Sequence, residues 1–387
     1  MSRISISVEN SPHRTPHNLL IIFKDLKMGI NVLSLFDGMS CGQIVLNNLA
    51  IDYENYFASE IDKYAIRVTQ YNYPNTIQLG DVRDVKGGDL PKIDLLLGAP
   101  PCQGFSYAGK QLNFKDHRSK LFFEFVRLLE EIKPKYFLVE NVKMKKEYEQ
   151  VITDHLGVEP ILINSSLFTA QNRQRLYWTN IPNIETPKDL GITFEDIRDT
   201  KTNHYEFIPE EKTRNRTYKK NYLQYDINGR GHGSQDQRAY YLDGKHGCLD
   251  TGASGKAKIL EADGRVRKIT RNEAERLQRV PDNYTSPVSK AQALKLLGNG
   301  WTVDVISHIL KNLPVKGKSM IHKIVYCNIC EVWNIRCEEC SMGGCSGGHL
   351  DGCKSQNEVD SLDKSLMRLL DKTNLEDILN ASHESIF

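Results

Sequence analysis

Cys102 and Glu140 are the side chains whose types and settings suit covalent chemistry. Cys102 follows Gly98-Ala99-Pro100-Pro101 and leads into Gln103-Gly104-Phe105-Ser106. The two prolines fix the backbone and hold the residue before them extended, so the thiol is delivered on a stiff arm. A free cysteine is most often a small buried hydrophobe. This one closes an apolar run over 93–97, a strand-like position from which a nucleophile can be presented. Glu140, in Glu140-Asn141-Val142, closes the next such run, over 136–139. An isolated acid there is ordinarily solvated; a thiol and a carboxylic acid leaving neighbouring strand ends make a nucleophile and its acid. A thiol with its usual pKa of about 8.5 is only a few per cent ionised at neutral pH. Such a site must therefore favour the thiolate or the adduct it forms. Arg173 and Arg175 alternate as on a strand and share a face, although a surface strand accounts for either one alone.

The elements that must hold these residues alternate along the chain. Apolar runs over 31–36, 56–59, 93–97 and 136–139 read as strands, and helical spacing recurs over 43–49, 63–71 and 121–131. The pattern predicts an α/β fold, a parallel sheet with helices on both faces. Ligands in such sheets bind beyond the carboxyl ends of the strands. After the first strand comes Phe36-Asp37-Gly38-Met39-Ser40-Cys41-Gly42, where glycines allow a sharp turn and close approach to a ligand. After the second comes Glu60, spaced to reach ribose hydroxyls, and then Asp81 in Gly80-Asp81-Val82-Arg83-Asp84. Together they fit an adenosyl cofactor; a turn with two solvated acids accounts for them equally well.

Further segments follow in order: Gln171-Asn172-Arg173-Gln174-Arg175, then Arg267-Lys268-Ile269-Thr270 through Glu273, Arg276, Leu277 and Gln278 to Pro281, then Gly298-Asn299-Gly300-Trp301. With Pro101-Cys102-Gln103 and Glu140-Asn141-Val142, they resemble the DNA cytosine-5 methyltransferase family over residues 29–313. Phe36-Asp37-Gly38, the 162–181 segment and Trp301 are most similar to the de novo animal type and related phage and bacterial enzymes. The resemblance implies a Rossmann-like S-adenosylmethionine-dependent methyltransferase fold with a small target-recognition domain, to which this chain adds a Cys-rich C-terminal extension. It implies S-adenosyl-L-methionine as cofactor and double-stranded DNA as partner. In its terms Cys102 is the nucleophile, Glu140 the acid, and Arg173 and Arg175 contact the cytosine oxygen and brace the catalytic loop. Phe36 and Gly38 lie near the methionine part of the cofactor, Glu60 on the ribose, and Asp81 with Val82 at the adenine, with Ile61 also a cofactor contact. Pro100, Leu121, Asn299 and Trp301 close that pocket; Trp301 stands where many bacterial members have a small residue.

The chemistry explains the residue types. Carbon 5 of cytosine is a poor nucleophile until a thiolate adds at carbon 6. Protonation of ring nitrogen 3 removes charge as that adduct forms, which needs a carboxyl kept protonated near neutral pH, as burial beside the base allows. A stacked duplex hides carbon 6, so the base must be flipped out. Residues 103–116 read as a loop that closes afterwards. The base that removes the carbon-5 proton is not identified by the sequence.

Residues 182–265 lack strong periodicity and occupy the place of the target-recognition region. Lys212, Arg214, Arg216, Lys219 and Lys220, with Tyr218 and Tyr222 among them, suit phosphate contacts, with a solvated basic face as the competing reading. Gly229-Arg230-Gly231-His232-Gly233 is a flexible loop able to enter a groove. A helical pattern over 270–279 packs between the lobes, and 292–297 with 303–310 return the chain to the catalytic domain.

The whole chain sets the limits. It has 387 residues, enough for two domains with appendages, and 51 basic against 49 acidic side chains, a net charge of +2. Any DNA contact must therefore come from a local basic patch. No apolar run is long enough to span a membrane, so no membrane partner is expected. An intracellular location is the default, cytoplasmic or at the nucleoid for a prokaryotic or phage-encoded chain. Residues 1–28 read as a disordered N-terminal tail. The remaining divisions are a catalytic and cofactor-binding domain over 29–181, target recognition over 182–265, a return over 266–315, a Cys-rich module over 316–355 and a helical tail over 356–387.

Six of nine cysteines fall in that module. Cys327-x2-Cys330 and Cys337-x2-Cys340 have the spacing of a four-thiolate zinc site. Cys345, His349 and Cys353 follow, leaving one or two ions open; redox-active thiols or an unstructured tail are the alternatives. Leu362, Leu366, Leu369 and Leu370 share a face of an amphipathic helix over 358–380, which docks onto the enzyme or onto a partner not identified by the sequence. Two rivals to the main reading remain: a tRNA cytosine-5 methyltransferase, whose Cys-Phe-Thr signature is absent here, and a catalytically inert DNA-binding scaffold, which needs no nucleophile.

Overall fold

The computed structural model describes residues 4–9, 18–25, 29–101, 120–202, 204–213, 215–225, 237–252, 257–314, 321–327 and 332–337. Cys102, the 103–116 loop, Arg214, Gly229 to Gly233, Cys330, Cys340, Cys345, His349, Cys353 and the 358–380 segment lie outside them. The chain divides into two compact units, Gly29–Lys316 and a second made of Met1–Met28 with Gly317–Phe387.

The second unit opens the chain with β1 (Ile4–Glu9) and β2 (Asn18–Asp25), which pair antiparallel. Within the segment 1–28, expected to be a disordered tail, residues 4–9 and 18–25 form these two strands.

In the larger unit, β3 (Ile30–Leu35), β4 (Tyr53–Ser59), β5 (Ile77–Gln78), β6 (Leu95–Gly98), β7 (Tyr136–Val142), β8 (Ile161–Asn164) and β9 (Gln174–Thr179) form one sheet, ordered β5-β4-β3-β6-β7-β9-β8. The first five are parallel to one another, and β9 is antiparallel to both β7 and β8. Strands buried on both faces read as continuous apolar runs, and their pleat sorts the side chains. Val32, Leu95, Leu97 and Leu138 join one core, and Leu33, Leu35, Leu96, Phe137 and Val139 join the other. Over the first face lie α1 (Cys41–Asn48), α2 (Lys63–Asn72) and the helices Lys290–Asn299 and Val303–Leu310, through residues such as Val45, Val68, Leu297 and Ile306. Over the second lie α3 (Lys120–Ile132) and α4 (Lys146–Leu156), through Phe122, Phe125, Leu128 and Ile152.

The 182–265 segment, which lacks strong periodicity, nevertheless supplies most of a second sheet. β10 (Arg216–Tyr218), β11 (Tyr222–Tyr225), β12 (Arg238–Tyr241), β13 (Lys258–Leu260) and β14 (Val266–Lys268) make a five-stranded sheet in sequence order, with a small core of Leu223, Tyr225, Ala239 and Val266. Strands of three or four residues are too short for an alternation to register. The helix Arg271–Leu277 starts with a capping box between Thr270 and Glu273. Glu273 also takes both guanidinium nitrogens of the fully buried Arg267 at 2.7 and 2.8 Å, and Glu261 takes Arg267 Nε. That network ties β13, β14 and the helix together.

The chain ends its described course with β15 (Ile321–Cys327) and β16 (Val332–Cys337), which extend the N-terminal pair into an antiparallel sheet ordered β1-β2-β15-β16. The expected tail and the Cys-rich module are therefore parts of one sheet. Its register opposes Cys327 to Val332 and Cys337 to His322. Five residue steps, roughly 17 Å, separate the two cysteines along the hairpin, whereas thiolates sharing one tetrahedral zinc lie about 4 Å apart. Cys327 and Cys337 therefore do not meet at one ion on this backbone, and Cys330 and Cys340 lie outside the described residues. Among the described residues no cluster of three or more His, Cys, Asp or Glu could hold a metal, and no helix is long and apolar enough to cross a membrane.

Candidate active site

Strand order reverses between β3 and β6: the chain runs outward from β3 through β4 to β5, then returns to pair β6 on the other side of β3. A crevice opens at such a reversal beyond the carboxyl ends of the two strands. Its rims are the turn after Leu35 and the segment after Gly98.

The turn after Leu35 is tightly wound, with left-handed conformations at Phe36 (φ 57°), Gly38 (φ 62°) and Ser40 (φ 63°). Glu60 secures it: Gly38 N–H donates to Glu60 Oε2 at 2.8 Å, while Oε1 accepts from the backbone of Ile61 and Asp62 at 2.7 and 2.8 Å. Asp37 accepts from the Tyr56 hydroxyl at 2.8 Å, and burial pushes its carboxyl up to about 6. Among the described residues, Asp37 Oδ2 and Trp301 Nε1 are buried polar atoms with no hydrogen-bond partner, which fits a polar ligand at this rim. A side chain at Gly38 would meet nothing within 4 Å, so the turn faces open space. Ile61 is 72% exposed directly after Glu60, an apolar surface suited to a flat base. Phe36, Val82 and Leu121 pack in the core beneath α3, whereas Trp301 belongs to the opposite core. Asn299 is exposed at the end of its helix. Asp81 is held by Arg83, whose backbone and Nε donate to Oδ1 at 3.0 and 2.9 Å; the same guanidinium brings the carboxyl down to about 2.

On the other rim, β6 stops at Gly98, opposite Val139 of β7. The sequence suggests that β7 also ends there, but it continues to Val142. Antiparallel β9 supplies partners that β6 no longer does: Glu140 opposes Tyr177 and Val142 opposes Arg175. Glu140 is therefore a strand residue, 7% exposed, standing just past the end of β6. Its Oε1 is 2.8 Å from Arg175 Nε. Asn141 is buried, and its amide donates to the Pro100 carbonyl at 3.3 Å. The buried Pro100 and its neighbour Pro101 form the arm leading to Cys102, so Asn141 ties that arm to the strand carrying Glu140.

The two arginines have different duties. Arg173 is 3% exposed and donates to the carbonyls of Leu249 at 3.0 Å, Gly298 at 3.1 Å from each of two nitrogens and Gly300 at 2.9 Å. It thereby braces β9 against the Gly298-Asn299-Gly300 turn. Gln278 completes the same brace, donating to the Leu297 carbonyl at 2.6 Å and accepting from Thr302 at 2.7 Å. Arg216, one of the expected phosphate contacts, turns inward onto Thr213 and the Gly264 carbonyl. Lys212, Lys219 and Lys220 stay exposed, beside a Tyr218 that is 66% exposed. Asn141 lay within a motif whose acid drew attention away from it, and Asp37 within a turn read for its glycines. Cys248, which reaches both arginines, had no local signal.

Comparison with known proteins places this geometry. The family model for C-5 cytosine-specific DNA methylase matches residues 30–314. The type II methyltransferase M1.ScrFI of Lactococcus lactis subsp. cremoris is 33% identical over 303 residues, covering 69% of this chain and 74% of that protein. The type II methyltransferase M.NlaX of Neisseria lactamica is 31% identical over 300 residues, covering 73% and 95%. Among solved structures, the Entamoeba histolytica methyltransferase EhMeth superimposes with a TM-score of 0.60 at 16% identity, covering 74% of this chain and 98% of that one; this likeness shows the fold alone. With the family model spanning the large sheet, the crevice and the five-stranded sheet, the chain belongs to the C-5 cytosine-specific DNA methylase family and is a methyltransferase enzyme.

Proposed function

We propose that this enzyme methylates carbon 5 of cytosine in double-stranded DNA by covalent catalysis through Cys102, with Glu140 as its acid. The observation that carries the proposal is the placement of Glu140 just beyond β6, paired with Arg175 at 2.8 Å, on the strand whose Asn141 holds the arm leading to Cys102. S-adenosylmethionine, when bound, supplies an electrophilic methyl group. The residues that would hold it are Phe36, Gly38, Glu60, Ile61, Val82 and Trp301, with Asp81 available once Arg83 releases it. Leu121 and Asn299 line the approach.

The protein's part in the reaction is as follows. The Cys102 thiolate forms a bond to carbon 6 of a flipped cytosine, and the displaced π electrons reach nitrogen 3, where Glu140 delivers a proton. Arg175 fixes the carboxyl that makes this transfer. Carbon 5, now nucleophilic, takes the methyl group. Loss of the carbon-5 proton to a base then restores the double bond and expels Cys102, while nitrogen 3 returns its proton to Glu140. Exposed Lys212, Lys219 and Lys220 supply phosphate contacts from the small sheet. A DNA substrate goes with an intracellular enzyme of the restriction–modification or phage kind, as its relatives' names suggest.

The test is to express the chain in cells lacking 5-methylcytosine and map that base in DNA and tRNA. The proposal expects a recurrent sequence context in duplex DNA; methylation of tRNA alone, or of neither, contradicts it.

A further inference from the structure

The neighbourhood of the Glu140–Arg175 pair contains a thiol that the reaction described above does not use. Cys248 Sγ lies 3.4 Å from Arg173 Nη1 and 3.9 Å from Arg175 Nη2, and its S–H donates to the Leu249 carbonyl at 3.3 Å. Arg175 thus has all three guanidinium nitrogens directed: Nε to Glu140, Nη1 to the Gln174 carbonyl at 2.8 Å and Nη2 to Cys248. A planar guanidinium fixed at three corners has one orientation, and that orientation sets where the Glu140 carboxyl sits.

The thiol is itself held rigidly. His246 N–H donates to the Ala170 carbonyl at 2.6 Å, Asn172 N–H donates to the His246 carbonyl at 2.9 Å, and Leu249 N–H donates to Gln171 Oε1 at 2.8 Å. The segment leading to Cys248 therefore makes a single parallel bridge, His246 to Gln171, just ahead of β9. It is also pressed onto the helix Lys290–Asn299, because a Cβ on Gly298 would lie 2.3 Å from the Asp250 carbonyl oxygen. Leu249 O receives both Cys248 and Arg173, so brace and thiol share an anchor. The sulfur is large and polarisable, suited to a second-row contact at this distance from a guanidinium.

We infer that Cys248 is a positioning residue for methyl transfer: it fixes the guanidinium plane of Arg175 and, through it, the carboxyl of Glu140. This inference rests on the catalytic roles proposed above. It gives Cys248 a role distinct from that of the nucleophile, and it predicts an effect on turnover without one on cofactor binding.

The experiment compares wild type, Cys248→Ala and Cys248→Ser in steady-state methylation of duplex DNA, with thermal melting of each. The alanine variant is expected to lose about fivefold in kcat, the factor worth one ordinary hydrogen bond, with KM for S-adenosylmethionine within about twofold of wild type. The serine variant, which keeps a polar atom for Arg175, should recover to within about twofold of wild-type kcat. If the alanine variant melts below the assay temperature, Cys248→Val takes its place and should show the same loss. Unchanged kcat in the alanine or valine variant overturns the inference, as does a serine variant equally impaired. An inactive wild type would instead overturn the reading of function on which the inference rests.

Discussion

Arg175 and Glu140 form an ion pair 2.8 Å long across the antiparallel pairing of β7 with β9. Arg173, two residues earlier, turns its guanidinium onto the carbonyls of Leu249, Gly298 and Gly300. Neighbouring arginines of one motif therefore divide into one that serves the acid and one that holds the scaffold.

Substitutions should separate the two. Glu140→Gln keeps the shape and removes the proton donor. It is expected to lower kcat by about 100-fold or more, the scale of general acid catalysis, with cofactor binding and melting temperature near wild type. Arg173→Met takes four charge-assisted hydrogen bonds from the carbonyls of Leu249, Gly298 and Gly300. It is expected to destabilise the fold by roughly 3 kcal/mol or more, read by urea denaturation. A stable but inactive Arg173→Met would return that residue to the reaction.

Arg267 makes the strongest demand on the fold. Fully buried, it pairs with Glu273 and Glu261 and lies 4.1 Å over the Tyr205 ring, while Glu261 also accepts from Arg198 at 2.6 Å. Arg267→Met would strip the buried Glu273 carboxylate of its cation and leave Glu261 to Arg198 alone, a change of roughly 3–5 kcal/mol. Denaturation should show that loss; a variant within about 1 kcal/mol of wild type would mean that water reaches the acids.

Two buried groups give opposite pH dependences. Burial lowers His246 from 6.5 to about 4, so the unfolded chain binds the extra proton and stability falls as pH drops from about 6.5 to about 4. Burial raises Asp37 from 3.8 to about 6, so the folded chain holds that proton and stability falls as pH climbs from about 3.8 to about 6. His246→Phe retains a ring against Tyr240, whose centroid is 4.4 Å away, and should flatten the acid limb. Asp37→Asn should raise stability at pH 7 relative to pH 4. Stability profiles of both variants parallel to wild type would exclude these assignments.

Much of the sheet was legible because its parallel strands are buried on both faces, which writes apolar runs such as Leu95-Leu96-Leu97 directly into the sequence. The helix Val303–Leu310 fell where its spacing put it. Less legible was whatever depends on partners far along the chain. β7 runs past Val139 only because β9 pairs it, and Cys248 reaches Arg175 across 73 positions. Spacing placed four cysteines around one ion, yet strand register sets Cys327 and Cys337 at opposite ends of a hairpin. Arg173 illustrates a different limit: its place in the motif says nothing of its acceptors, the carbonyls of Leu249, Gly298 and Gly300.

Covalent trapping on duplex DNA containing 5-fluorocytosine reads the Cys102 adduct itself, because fluorine at carbon 5 blocks release of the thiol. With S-adenosylmethionine present, the wild-type chain should form a denaturation-resistant adduct through Cys102, Cys102→Ser should form none, and Glu140→Gln should form it much more slowly. An adduct that survives Cys102→Ser, or its absence from a wild-type chain that methylates DNA, would contradict the account.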